Sequence, residues 1–435
     1  VMPFFATMFY ILFANGKSLP KKKAKKVYAH FQQNVEKTSC LQELQQKNED
    51  AYRLCSLLHY GTQMPVYTNT KTTFFDDAAS KTEQLLKDIH AAKHSIYLEY
   101  FIVSDGVLLE KLITCIQEKA SQGVEVKIIY DAIGSKACLK RKTIKRINKI
   151  PNVQMVPYNP LGVNLNLSFN FRDHRKIAVI DEKIAYTGGD NLADEYVHLK
   201  QKYGYWRDNA MRFEGDAVRS FSLLFKQSWF MSTKEWLPHT AFTQETMGEN
   251  YKQTAYHMPF GDGPMNPENP AYKLIEALAG RAKKYLYIST PYLIIDNEFL
   301  NKIATAAKSG VDVKVLVPHI PDKKMVFKMT QSNYGILLKA GVKIYEYTPG
   351  FNHAKNVICD DMYGLVGTIN LDYRSLLLHF ECADFMVNDE NIIAMREDFE
   401  KAIAQSQEVD IRTWKKRPLL RKMWEKLLNL ISPLL

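Results

Sequence analysis

The chain has 435 residues, of which 46% are hydrophobic and 24% charged; that is enough apolar material for two or three packed domains and too much for a disordered polyelectrolyte. Lys and Arg number 58 against 47 for Asp and Glu, a formal charge of +11. Such an excess points to an anionic partner (nucleic acid, an anionic membrane or a phosphate substrate), with a merely solvated basic surface as the plain alternative.

The chain opens VMPFFATMFYILFANGK and continues into the cluster KSLPKKKAKK. A bilayer-spanning helix needs about 20 apolar residues, so the run is short; it reads as the end of a membrane anchor or as an ordinary buried helix. Lysines directly after an apolar run mark a cytoplasmic flank. A signal peptide fits poorly, because its charge precedes its apolar core. Residues 1–14 are thus expected to be a membrane-segment remnant, and 15–60 a basic, helical connector.

Two longer units follow, 61–245 and 246–410, separated in the polar stretch FTQETMGENYKQT. In the first, a helix leads to a strand over Ser95–Val103, a second helix runs to about Ser121, and Val124–Tyr130 forms another strand. The segment from Ala271 to Pro318 repeats this switching of apolar period, and Ala-x-x-Gly-Val-acid-Val-Lys occurs at 120–127 and again at 307–314. The expected fold is α/β: two homologous halves, each a mostly parallel mixed sheet flanked by helices, packed about a pseudo-twofold axis. Residues 411–435 carry Leu420, Met423, Trp424, Leu427, Leu428 and Ile431 at helical spacing among Lys415, Lys416, Arg417, Arg421, Lys422 and Lys426. This basic amphipathic helix either lies on a membrane surface or packs on the body of the protein. Cys40, Cys55, Cys115, Cys138, Cys359 and Cys382 include no C-x2-C pair, so they signal neither a zinc site nor a disulfide framework, and a reducing compartment is expected.

Each unit holds the pattern H-x-K-x4-D-x6-G-x2-N. The first has His174, Lys176, Asp181, Gly188 and Asn191; the second has His353, Lys355, Asp360, Gly367 and Asn370. Two copies at one constant offset mark a duplicated unit. In an extended chain, residues two apart share a face, so each His-Lys pair points the same way at the head of an apolar run. Halves packed about a twofold axis bring two imidazoles and two ammonium groups to one small volume, which suits a phosphodiester. Lys176 and Lys355, with Asn191 and Asn370, would hold its non-bridging oxygens. One neutral histidine would attack phosphorus while the other, protonated, serves as acid and then base.

The candidate catalytic set is therefore His174, Lys176, Asp181, His353, Lys355 and Asp360. Within it Asp181 and Asp360 end their strands, which favours a loop-pinning role. Asp208 and Glu381, downstream of the two motifs, are the candidates for bonding the far ring nitrogen of a histidine and fixing its tautomer. The remaining histidines, in no repeated context, read as bystanders. No carboxylate cluster suited to magnesium accompanies the lysines, so neither a metal nor a cofactor is expected.

The motifs resemble the paired HKD motifs of the phospholipase D superfamily, and more closely the bacterial cardiolipin synthases. The likeness rests on EYFI at 99–102, YDAIGS at 130–135, NFRDHRKIAVID and TGGDNLADEY through Tyr196, GYWRD at 204–208, TPYLI at 290–294, AGVKIYEYTPGFNHAK through Lys355, GTINLDYRS at 367–375 and the closing SPLL. It runs from about residue 60 to the end, and residues 1–14 resemble the close of that family's membrane segment. Thr368 stands where serine is commoner. The resemblance implies transfer of a phosphatidyl group between two phosphatidylglycerol molecules, giving cardiolipin and glycerol, with His174 as nucleophile and His353 as acid and base. It also implies an anionic membrane surface as partner, a cell-membrane location with the site on the cytoplasmic side, and no nucleic acid. The alternatives are a phospholipase D-type hydrolase or phosphodiesterase acting on lipid or nucleic acid, and a non-catalytic membrane-associated binding protein.

Overall fold

In the computed structural model, which describes residues 29, 40–160, 170–238, 251, 254–420, 422, 423, 425 and 428, the apolar β-branched runs form strands and the 3.6-periodic segments between them form helices. The expected membrane remnant, most of the connector's first part, most of the stretch between the halves and the closing SPLL lie outside the described residues. The strands in chain order are Thr70–Phe75 (β1), Ser95–Tyr100 (β2), Glu125–Asp131 (β3), Val153–Tyr158 (β4), Lys176–Ile180 (β5), Ile184–Gly188 (β6), Tyr205–Arg207 (β7) and Ala210–Gly215 (β8). They continue as Tyr256–Asp262 (β9), Tyr285–Ser289 (β10), Leu293–Ile294 (β11), Asp312–Pro318 (β12), Lys343–Tyr347 (β13), Gly350–Asn352 (β14), Asn356–Cys359 (β15), Tyr363–Gly367 (β16), Leu371–Asp372 (β17), Glu381–Val387 (β18) and Ser406–Glu408 (β19).

Two large sheets result. One has the order β1-β8-β6-β5-β2-β3-β4, the other β9-β18-β16-β15-β10-β12-β13-β19. Strand for strand the second repeats the first and adds β19 at its edge, which is the duplication read from the sequence expressed as topology. The sheets are mixed as expected, but the expectation that each is mostly parallel needs correction at the level of pairing. Parallel neighbours are confined to β2, β3 and β4 and to β10, β12 and β13. Every other neighbour in the two sheets is antiparallel. The reason is connection length: helical crossovers give parallel neighbours, whereas tight turns such as those joining β5 to β6 and β15 to β16 force reversal.

Those two turns explain the motif aspartates. Asp181 and Glu182 have φ of 51° and 52°, and Asp360 and Asp361 have 58° and 56°. Two successive left-handed residues make a type I′ hairpin turn. The Asp181 carboxylate accepts from the backbone N–H groups of Lys93, His94 and Ser95 at 2.7–2.8 Å. Asp360 does the same for Lys283, Lys284 and Tyr285 at 2.7–2.8 Å. Each aspartate therefore staples the start of β2 or β10 to the end of its own motif strand. The motif glycines have an equally local cause. A Cβ on Gly188 would lie 2.4 Å from the Asn209 carbonyl oxygen, and one on Gly367 would lie 2.3 Å from that of Cys382.

The halves meet where β16 packs on β6 and β8 and β18 packs on β6. The connector, in its described part, is two helices, Cys40–Lys47 and Glu49–Thr62. It is no spacer: Leu44, Ala51, Leu54 and Leu58 are fully buried, against the helix Pro270–Arg281 and β9 of the second half. Near the other end of the chain, Trp414 and Leu428 are buried while Leu419, Leu420 and Met423 are 72%, 81% and 59% exposed. The apolar stripe expected there is thus divided between packing and solvent; Trp424, Leu427 and Ile431 lie outside the described residues. No helix among the described residues is long and apolar enough to cross a membrane.

Candidate active site

β5 and β15 are buried along their whole length, and the histidine of each motif sits just before them. Each histidine enters the site along a strand of the opposite half. Arg172 O accepts from Phe380 N, and Phe380 O accepts from His174 N, both at 2.8 Å. In the twofold-related place β14 runs parallel to β7, with Asn352 opposite Arg207, and His353 N donates to Arg207 O at 2.7 Å. The orienting acids are the residue that follows Phe380 and opens β18, and the residue after β7. His174 Nδ1 bonds the Glu381 carboxylate at 2.9 Å, and His353 Nδ1 bonds Asp208 at 2.6 Å. The orientation is crossed: the acid of each half holds the imidazole of the other.

The lysines follow the same symmetry. Lys176 Nζ donates to His174 O at 2.6 Å, and Lys355 Nζ donates to His353 O. The two side chains are 2% and 3% exposed, yet among the described residues neither ammonium has a carboxylate within ion-pair distance. Burial pushes Lys355 down to about 7, with Lys176 opposing its charge and Asp208, Glu381 and Asp372 favouring it. Burial also lowers Lys176. Burial first, and then the ammonium groups of both Lys176 and Lys355, hold His174 and His353 well below the ordinary imidazole range. That each ring feels both lysines puts the two motifs in a single electrostatic site. Burial raises the acids, Asp208 to about 6 and Glu381 to about 7. Two buried cations beside neutral imidazoles form an anion site, since a phosphate would supply the missing counter-charge.

The other sequence candidates divide. Asn191 is partly committed to the fold: its Oδ1 accepts from Ile102 N at 2.9 Å and its Nδ2 donates to Tyr196 Oη at 2.7 Å. Asn370 Oδ1 is buried without a partner among the described residues. Asp181 and Asp360 do not join the cluster. Their grouping with the catalytic residues is corrected by the backbone staples described above; the H-x-K-x4-D spacing places them a full strand away from the rings.

Several neighbours were not among the candidate site residues, although most lie in the segments that carry the family likeness. Thr368 and Ser375 both donate to Glu381, Ser375 at 2.7 Å. Phe101 stands edge-on to His174 at 4.9 Å between centroids, and Tyr196 and Trp206 each lie 5.5 Å from His353. His379, read as a bystander, has its ring 5.7 Å from that of His174. Its place two residues before Glu381 was the available clue, because alternate residues of an extended segment share a face. His257 shows the bystander reading at work: fully buried between Asp384 and Asp389 at 2.9 and 3.0 Å, it is raised to about 9 by those carboxylates against the effect of burial.

Comparison with known proteins agrees with this geometry. Residues 85–229 and 274–403 match the family described as cardiolipin synthase, PLD-like domain. An uncharacterised protein of Streptococcus mutans is 38% identical over 96% of this chain and 90% of its own. Cardiolipin synthase 2 of Bacillus anthracis is 34% identical over 100% of this chain and 85% of its own, and a Geobacillus cardiolipin synthase is 35% identical over 88% and 76%. Among solved structures, phosphatidylserine synthase of Haemophilus influenzae shares the fold with a TM-score of 0.66 at 18% identity, covering 89% of this chain and all of that one. With two pseudo-symmetric motifs meeting at one anion site and relatives of this kind along its whole length, the chain belongs to the phospholipase D-like cardiolipin synthase family and is a phospholipid phosphatidyltransferase.

Proposed function

We propose that the protein joins two phosphatidylglycerol molecules into cardiolipin and releases glycerol, through a phosphohistidine on His174. The observation that carries this reading is the pair of buried ammonium groups, Lys176 and Lys355, without carboxylate partners and shared by both imidazoles. A phosphodiester with one negative charge, seated between them, offsets their burial and stabilises the charge that develops on its equatorial oxygens.

In the first step His174 Nε2, its other nitrogen held by Glu381, attacks phosphorus. A P–N bond forms, the P–O bond to the departing glycerol breaks, and His353 gives that oxygen its proton. In the second step the free hydroxyl of another phosphatidylglycerol yields its proton to His353 and attacks the same phosphorus. The P–N bond breaks, cardiolipin forms, and both imidazoles return to their starting states. His353 must be charged when the donor lipid binds, whereas both rings are neutral in the free protein. The phosphate closes that gap, since its charge cancels the lysine field that depresses the imidazole.

The unlike acids favour this division of roles. Asp208, at about 6, stays ionised at neutral pH and supports an imidazolium on His353. Glu381, raised to about 7 by burial, accepts hydrogen bonds from Thr368 and Ser375; as a carboxylate it accepts the Nδ1 proton of His174 and leaves Nε2 free to attack. Exposed Leu419, Leu420 and Met423 beside Lys415 and Lys416 suit an anionic membrane surface from which the lipid is drawn.

Incubation with phosphatidylglycerol vesicles and mass spectrometry of the products tests the reaction. Cardiolipin and glycerol are expected; phosphatidic acid as the main product would assign hydrolysis instead. Acid quenching with radiolabelled donor lipid should leave label on His174, and label on His353 would reverse the roles.

A further inference from the structure

His379 has a use that the transfer reaction leaves open. Its Nδ1 is buried and makes no hydrogen bond among the described residues, an uncommon and costly state for an imidazole nitrogen. The ring is turned by Arg374, whose Nε donates to His379 Nε2 at 3.3 Å. Nδ1 therefore faces the Glu381 carboxylate from 3.9 Å, alongside His174 Nδ1 at 2.9 Å from the same carboxylate. One donor atom from each of His174, His379 and Glu381 lies within 4.8 Å of the others.

We propose that these three residues form an inhibitory binding site for a borderline divalent transition-metal ion, Zn²⁺ foremost. Two imidazoles and a carboxylate are a zinc donor set, with water as the fourth ligand. Metal–donor bonds of about 2.0–2.1 Å in a tetrahedron set the donors about 3.3 Å apart. The two histidine–carboxylate separations of 2.9 and 3.9 Å lie on either side of that value, and with all three donors within 4.8 Å of one another, inward movement of up to about 1.5 Å, chiefly of the His379 ring, seats the ion.

Inhibition follows from the tautomer. The ion takes the place of the proton between His174 and Glu381. That proton moves to His174 Nε2, the nitrogen the transfer reaction needs as a nucleophile, and the ring is silenced without net loss of a proton. On His379 the same change puts a proton on Nε2, so Arg374 must turn away from its long bond. Arg374, Lys176 and Lys355 also repel a dication, which weakens its binding. The inhibitory part rests on the proposed role of His174; the binding part does not.

The test uses the full chain, stripped of metal. Equilibrium dialysis against Zn²⁺ should give one ion per chain, and turnover of phosphatidylglycerol vesicles should fall with the same midpoint and recover fully in chelator. His379→Asn should raise both midpoints by at least about 100-fold, since losing even an outer-sphere partner costs up to that much. Arg374→Met, which removes a cation and the competing donor, should lower both. Exposed His90, replaced by Gln, should change neither. Equal zinc binding by His379→Asn and the unaltered protein, or no stoichiometric binding, overturns the site. Stoichiometric binding without inhibition overturns the inhibitory role and counts against His174 as nucleophile.

Discussion

Lys176 and Lys355 each bond a backbone carbonyl in the interior, Lys176 also facing the Phe101 ring, and among the described residues neither has a carboxylate within ion-pair distance; the proposed anion site gives a reason. Lys355 has its ordinary value of 10.5 in the unfolded chain and about 7 in the folded one. Between those values the unfolded chain holds a proton that the folded protein lacks, so this residue makes stability rise with pH across that window and costs most below it. Lys355→Met should therefore raise the melting temperature at pH 6, by an amount equivalent to about 1–4 kcal/mol, while lowering phosphatidyl transfer by at least about 10²–10³-fold. Calorimetry and a transfer assay on the same preparation check it; a lower melting temperature contradicts it. The same residue sets the pH profile. kcat/KM reports the free protein: it should fall with rising pH as the proton that His353 takes up on binding becomes scarce, and more steeply above about 7 as Lys355 also loses its proton. Lys355→Arg keeps its charge throughout, so the steepening near 7 should vanish from its profile. A profile for the unaltered protein that stays level from pH 7 to 9 contradicts the assignment.

At the scale of single elements, the two type I′ turns show how a motif residue acts without touching the chemistry. Asp181→Ala leaves three N–H groups without their acceptor and puts alanine at a φ of 51°. Urea unfolding should show a loss of about 1–3 kcal/mol, with kcat/KM of the folded variant within about twofold of the parent. Asp181→Asn, at ease in that conformation, should lose less; a large fall in kcat at full stability would put Asp181 back in the reaction. This pinning role was legible from the position of the aspartate at the end of an apolar run. The partners of the orienting acids were not, because Glu381 lies 207 positions from His174 and Asp208 lies 145 from His353, and no local period records such contacts. His379 was missed for a related reason: lacking a repeated counterpart, it gained its neighbour only where the residue before β18, Phe380, docks on Arg172 and His174 of the first half. The C-terminal stripe was legible as amphipathic, but helical spacing says nothing of which face packs. Its exposed part allows a test: Lys415→Gln and Lys416→Gln should each weaken sedimentation with anionic vesicles about fivefold, from ~1 kcal/mol per cation, and leave turnover of a soluble short-chain substrate intact.

Across the whole molecule, duplication supplies two nearly equal half-sites, whereas the proposed reaction needs one nucleophile and one acid. The fold brings the histidines together through exchanged docking strands, so each half is incomplete alone: the first holds His174 but takes Glu381 from the second, and the second holds His353 but takes Asp208 from the first. The symmetry is then broken by chemistry a short distance from the rings. Glu381, one methylene longer than Asp208, is held by Thr368 and Ser375, whereas Asp208 is held by the backbone N–H of Asn209 at 3.0 Å. If Asp208 serves the acid and Glu381 the nucleophile, their losses differ in kind. A phosphatidyl ester of p-nitrophenol needs no protonation of its departing oxygen, so acid catalysis adds little to its first step. Asp208→Asn should slow transfer from phosphatidylglycerol by about 10²–10⁴-fold, yet release p-nitrophenol within about tenfold of the parent rate. Glu381→Gln should slow both, because nucleophilic attack is required whatever departs. Stopped-flow measurement of the p-nitrophenol burst separates the two, and rescue of Glu381→Gln rather than Asp208→Asn would exchange the roles of the halves, making His353 the nucleophile and His174 the acid.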